Sequence, residues 1–333
     1  MNLPRGKGYF IWIASRCEGG DPARIAEMAA RAGLSHILIK IAHGIYNYNI
    51  SVDLPAIIAA LRSVGVEPWG WHYVLGDNPV GEADRAIRRM IELELTGYVI
   101  NAEKEYKNRP AAALTFMQRL RSGLPGATVG LSSYRYPSVH PEFPWFQFRS
   151  NIDFDMPQIY WMFATNSAQQ LQRSFDEFRM MSPALPYIPT GAAFTEHGWV
   201  PIATEVVQFL DRAVDMGVPA VNFWEWYNTR TYLPALWDVI SSYPWTAEEP
   251  IPDPEPPMGH PLVMNVITSA LNVRSGPGIG YPIVGSLSAG DQVIVQDIAA
   301  PTEAWVQHES GNLPTGWSAA KYGGKTYLEK ADA

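Results

Sequence analysis

The chain carries one cysteine, Cys17, among 333 residues. No internal disulfide can form, and no Cys-based zinc site can be built. A nucleophilic thiol needs a partner base, and none is identifiable beside Cys17, so a packed, inert thiol is expected. Charged residues are also scarce, 17% against the usual quarter, and the net charge is −8. That balance argues against nucleic acid as a partner, because phosphate binding needs a basic patch. It argues equally against simple attraction to an anionic surface. No run of 18 apolar residues occurs, so no membrane span is expected. Residues 1–8 lead straight into a strand without the apolar stretch of a signal peptide. The expectation is synthesis in the cytoplasm or departure by another route. No glycine-rich phosphate loop follows the first strand, and no HExxH-type spacing is present. Neither a bound cofactor nor a metal is therefore expected. Oligomeric state is left open.

Aromatics, by contrast, are abundant: Trp 12, Tyr 16 and Phe 12. Such a surplus, with few charges, suits contact with flat, neutral partners such as sugars, although most of these rings should simply fill a core. Through residues 1–245, apolar runs alternate with amphipathic ones. The strands are expected at Tyr9 to Ala14, His36 to Ala42, Glu67 to Val74, Tyr98 to Glu103, Thr128 to Ser133, Phe154 to Trp161, Tyr187 to Ala192 and Ala220 to Glu225. Helices start at signals such as Asp21-Pro22 and Asp53-Leu54-Pro55, which pair an N-cap with a first-turn proline. Eight such units, about thirty residues apart, predict an α/β fold, a (β/α)8 TIM barrel. Residues 246–261 alternate proline and acid and predict a stiff spacer. From 262 to 333 the period shortens to strands and turns, predicting a small all-β module.

Barrel chemistry gathers at the C-terminal strand tips. The second strand ends Lys40-Ile-Ala-His43-Gly44, and the third ends Trp71-His72-Tyr73. The fourth ends Asn101-Ala102-Glu103, the sixth Gln158-Ile-Tyr160-Trp161, and the eighth Trp224-Glu225-Trp226. Glu103, at the end of an apolar strand, is the principal candidate, because a bare buried carboxylate is costly unless used or paired. Its structural alternative is an ion pair with Lys40. Glu225 is the second tip carboxylate, with a rim salt bridge as the competing explanation. Asp155 lies early in its strand and is expected to be deep. Trp12, Trp305 and Trp317 are expected as core, and the acids Glu82, Asp84, Glu92 and Glu94 as a solvated helix face.

These tip motifs resemble those of the family-25 glycoside hydrolases, the lysozyme-type muramidases. Lys40 to Gly44 stands where that family has Lys-Ala-Thr-Glu-Gly, Trp71-His72-Tyr73 where it has Tyr-His-Tyr/Phe, and Asn101-Ala102-Glu103 where it has Asp-x-Glu. Trp224-Glu225-Trp226 lies near its Trp-Gln-Tyr. Chitinase-like barrels share the strand-four glutamate and a polar-x-Tyr like Gln158-Ile-Tyr160. The chain departs from the family at three acids: the strand-one Asp is missing, Asn101 replaces Asp, and His43 replaces Glu. The run Leu271-Asn-Val-Arg-Ser-Gly-Pro-Gly278 resembles the bacterial SH3-like repeat, whose members bind cell-wall peptide or glycan. Barrel, linker and module together resemble an endolysin.

The resemblance implies a peptidoglycan-directed glycosidase with Glu103 as general acid. Asn101, Gln158, Tyr160 and Glu225 would handle the substrate acetamide or the developing charge. Lys40, His43, Trp71, His72, Tyr73, Trp161, Trp224 and Trp226 would line the glycan groove. Two alternatives remain: a carbohydrate-binding barrel that has lost catalysis, and a hydrolase of another polysaccharide using Glu103 and Glu225 as a carboxylate pair.

Overall fold

The computed structural model describes residues 3–95, 97–245, 263–276, 278–299, 305–310, 313–322 and 325–330. The spacer expected at 246–261 lies outside them. The chain divides into two compact units on either side of residues 251 and 252.

The first unit is the expected barrel. Its strands are β1 (Gly6–Ile11), β2 (His36–His43), β3 (Glu67–Val74), β4 (Gly97–Ala102) and β5 (Thr128–Ser132). β6 runs in two short pieces, Phe154–Asp155 and Gln158–Ile159, followed by β7 (Thr190–Ala192) and β8 (Ala220–Trp224). Pro157, which has no N–H to give the ladder, separates the two pieces of β6. The first piece pairs with β5 and the second with β7, so β6 closes the ring. β8 pairs with β1 in parallel. Helices α1 (Pro22–Arg31), α2 (Leu54–Ser63) and α3 (Pro79–Glu92) are capped by Asp21, Asp53 and Asn78, each accepting an N–H from the first turn. Each also has proline at its start, where no N–H is needed. Around the rest of the ring follow α4 (Pro110–Gly123), α5 (Trp145–Arg149), α6 (Ser167–Arg179), α7 (Ala203–Asp215), α8 (Trp226–Tyr232) and α9 (Pro234–Ser242).

Strand parity sorts the side chains. Phe10, Leu38, Trp69, Trp71, Val99 and Phe154 fill the barrel interior, while the alternate residues pack outward on the helices. Two glycines make room for these rings. A Cβ at Gly97 would lie 2.2 Å from the Trp69 ring, and one at Gly130 would lie 2.3 Å from Phe154. Asp155 is deep, as expected. It is buried in a bidentate pair with Arg149 (Nη2 to Oδ2 2.9 Å, Nε to Oδ1 3.1 Å).

α8 follows β8 with only Glu225, its N-cap, between them. One expectation needs correction here. Glu82 is not on a solvated face. It is buried, and its carboxylate accepts the Leu75 and Gly76 N–H groups (3.0 and 3.2 Å), holding the loop between β3 and α3.

The second unit is an antiparallel sheet whose core includes Val266, Leu271, Val273, Leu287, Val306 and Leu328. Trp305 and Trp317 are buried in it, as core residues should be.

Candidate active site at the barrel mouth

Glu103 follows the last residue of β4 and opens the 3-10 turn Lys104–Tyr106. It is half-buried at the C-terminal mouth. Gln158 of β6 donates from Nε2 to Glu103 Oε1 at 3.0 Å, and the Asn101 amide also bonds the carboxylate. Burial is the largest influence on Glu103 and raises its pKa. The neighbouring Glu105 charge pushes the same way, while the two amides oppose it. A carboxyl pushed toward its protonated form in this way is what a general acid requires.

Three phenols converge on the same charge. Tyr73, Tyr134 and Tyr160 are all raised, first by burial and then by Glu103, Tyr134 to about 12. Tyr73 also donates its O–H to Glu105 Oε2 at 2.8 Å. Glu105, Tyr134 and Tyr73 therefore build one wall with Glu103, and the second carboxylate near Glu103 comes from the turn just past β4. The sequence points instead to Glu225 for that place, as the second carboxylate at a strand tip. Tyr134 was missed altogether, although it sits two residues beyond the inward-facing Ser132.

Lys40 does not pair with Glu103. Its residue is only 4% exposed. Its ammonium lies over Tyr48 (4.2 Å), Trp71 (4.8 Å) and Trp12 (5.7 Å), and bonds His43 Nδ1 at 3.2 Å. Desolvation lowers its pKa to about 8. A bulge at Ile41 explains how Lys40 and His43 share the mouth. Lys40 pairs with Trp71 and Ala42 with His72, so the extra residue resets the parity. His43 then stacks on Tyr73, ring centroids 5.3 Å apart. Asn49 pins this corner, donating to the Trp12 and Lys40 carbonyls (3.0 and 2.9 Å). Trp12 is 43% exposed and stands beside Trp224 at 6.1 Å, so it belongs to the mouth and not to the barrel filling.

Three expected groove residues lie elsewhere, two of them because of strand parity. His72 alternates with the inward Trp71 and Tyr73. It is buried outside the barrel, bonded to the Tyr98 hydroxyl (2.9 Å) and the Gly44 carbonyl (2.8 Å), a satisfied core histidine. Trp161 alternates with Tyr160 and packs on Phe209, its Nε1 donating to Glu205 at 3.1 Å. Trp226 belongs to α8 and is buried against Tyr9 and Trp237. Trp71 is also buried, but inward, where it floors the Lys40 corner and donates to the Ile11 carbonyl at 3.0 Å.

Glu225 is buried too, and burial raises its pKa. Its carboxylate is occupied as the N-cap of α8, accepting the Asn228 and Tyr227 N–H groups (2.7 and 3.3 Å). Glu105 and Lys104 act on the charge of Glu103, and Arg16 on that of Glu225. Among the described residues, no group of three or more His, Cys, Asp or Glu side chains is gathered as metal ligands. Among them also, no helix is long and apolar enough to cross a membrane.

This is a (β/α)8 barrel with a glutamate at the fourth strand tip and aromatic side chains around its mouth. The bacterial SH3 domain family matches residues 269–323, so the small module is a bacterial SH3 domain. No curated protein matches the chain in sequence. Among solved structures, the chain is similar to the catalytic domain of a chitinase from Pyrococcus furiosus. Identity is 12% and the TM-score 0.53, over 73% of this chain and 98% of that one. It is also similar to the spore cortex-lytic enzyme of Bacillus cereus, with identity 10% and TM-score 0.55, over 74% of this chain and 76% of that one. A family-18 N-acetylglucosaminidase from Paenibacillus barengoltzii matches at 10% identity and TM-score 0.50, over 71% of this chain and 99% of that one. At these identities the likeness is one of fold.

Proposed function

We propose that the protein is a glycosidase of cell-wall glycan containing N-acetylated sugars, with Glu103 as its general acid. The observation that carries this reading is the Glu103 carboxyl itself: half-buried, raised in pKa and held by two neutral amides. Supporting it are the aromatic mouth, the bacterial SH3 domain, and a fold shared with a chitinase and a cortex-lytic enzyme.

In this reading Glu103 gives its proton to the glycosidic oxygen as the bond to the sugar C1 breaks. The carbonyl oxygen of the same sugar's acetamide attacks C1 and carries the positive charge as an oxazolinium. Water then opens that ring at C1 and returns a proton to Glu103. Asn101, Gln158 and Tyr160 orient the acetamide, and Trp12 and Trp224 stack on sugar faces. Asn101 supplies no charge of its own, so the negative field comes from Glu105 across the same wall. A lysozyme-type cleavage of peptidoglycan is the particular reaction proposed, with the SH3 domain holding the enzyme on the wall.

The test is reducing-end release from purified peptidoglycan, with a chitin oligomer in parallel. Release that vanishes in Glu103→Gln is the expected result, and full activity in that variant would refute the assignment. The strand-one tip, which carries no acid, favours a second reading: a barrel that binds glycan without cutting it. Saturable binding with no new reducing ends from either polymer would select that reading.

A further inference from the structure

A second concavity opens on the same face as the mouth, between the loop after β1 and helix α8. It has a volume of about 250 Å³ and is lined by Arg16, Arg24 and Arg230 together with Glu18, Tyr227 and Thr231. Arg230 donates to Glu18 Oε1 at 3.0 Å, and Trp226 Nε1 lies 3.4 Å from the same oxygen, so Glu18 is already neutralised. Arg16 lies over the Tyr227 ring, 5.5 Å from its centroid. Neither Arg16 nor Arg24 belongs to an ion pair among the described residues. The two nearby acids are otherwise engaged. Asp21 caps α1 through the Arg24 backbone N–H at 3.1 Å. Glu225, within Coulomb range of Arg16, caps α8.

The result is a local excess of guanidinium on a chain whose net charge is −8. The backbone is specialised here as well. Glu18, Gly19 and Gly20 all have positive φ (49°, 72° and 77°), a run of left-handed residues that shapes the loop beside the arginines. For Glu18 that conformation is costly, and such outliers persist where the surroundings hold them and a site uses them. The pocket's position matters most. Glu225 links the two places, since it accepts a hydrogen bond from the Trp12 backbone and lies within Coulomb range of Arg16, so the pocket is near the strand-one tip of the mouth.

We propose that this pocket binds the carboxylates of short peptide branches attached to the glycan in the groove. A guanidinium is a planar fork that matches a carboxylate. The concavity is larger than a lone ion needs and is open to solvent, as a branch of a polymer requires. This inference rests on the glycan-cleaving reading above, and it names the polymer as one that still carries its acidic peptides. It also places the enzyme before any reaction that strips those peptides from the sugar.

The test separates binding from cleavage. Glu103→Gln protein is titrated calorimetrically with a disaccharide-peptide fragment of peptidoglycan and with the same disaccharide lacking the peptide. The peptide-bearing fragment is expected to bind about tenfold more tightly, the worth of a few partly exposed charge-assisted contacts. Adding Arg16→Gln and Arg24→Gln, both at exposed positions, should erase that difference while leaving the bare disaccharide's affinity unchanged. A preference that survives the double substitution overturns the proposal, as does the absence of any preference in the parent. A glycerol-phosphate oligomer bound more tightly than the peptide fragment, and lost in the same variant, would also overturn it and make phosphate the ligand. Failure of the glycosidase reading shows separately, as wild-type protein that releases no reducing ends.

Discussion

Glu103 and Glu225 make an instructive pair. Each is a glutamate at the C-terminal tip of a barrel strand, each is largely out of water, and each has a raised pKa with burial as the chief cause. Their partners differ. Glu103 is held by side-chain amides from β4 and β6. Glu225 is spent on backbone N–H groups, two at the start of α8 and that of Trp12. Position at a tip makes a carboxylate a candidate. The number and kind of hydrogen bonds it already accepts decides whether it has a proton to give.

The comparison breaks most visibly in turnover. Glu103→Gln should lower kcat on glycan by about 10²- to 10⁴-fold with little change in binding, as expected for loss of a general acid. Glu225→Gln should leave kcat within a few fold and cost about 1 kcal/mol through the weakened cap, read as a lower Tm. Turnover lost in Glu225→Gln well below its melting temperature would show that both glutamates act.

A parallel contrast holds for the tryptophans. Trp161→Ala, which empties a buried site against Phe209, should cost about 3–5 kcal/mol in denaturant unfolding. Trp12→Ala, at an exposed position, should cost little stability and raise KM on long glycan several fold. A stability loss at Trp12 equal to that at Trp161 would return it to the core.

The Glu103 wall can be tuned more finely. Glu105→Gln removes a like charge that helps keep Glu103 protonated, so the alkaline limb of kcat against pH should move to lower pH. Asn101→Asp adds such a charge, and the limb should move to higher pH. Limbs that stay fixed in both variants would detach Glu103 from the observed pH profile.

The smallest effect is on stability. Because its folded pKa is raised, Glu103 keeps its proton to higher pH in the folded protein than in the unfolded chain. The cost of its buried charge therefore enters as pH rises from the unfolded value through the folded one. Glu103→Gln should melt with wild type below that window and slightly above it in temperature at higher pH. Identical melting at both ends would mean that Glu103 is not desolvated.

Much of this was legible in the chain. The eight strand–helix repeats, the N-caps at Asp21 and Asp53, the SH3-like run from Leu271 and the prominence of Glu103 all follow from local pattern. These are properties of neighbours along the sequence: caps, periods of 2 and 3.6, and apolar runs ending in a polar residue. Parity could also have removed His72 and Trp161 from the groove, since each alternates with an inward residue. The sequence alone does not reveal the bulge at Ile41 that turns Lys40 and His43 to one side, the seven-residue helix that captures Glu225 and Trp226, or the meeting of Glu105, Tyr73 and Tyr134 around Glu103. Those outcomes belong to the closed ring. It sets strands far apart in sequence side by side, and only then can a side chain find the partner that fixes its role.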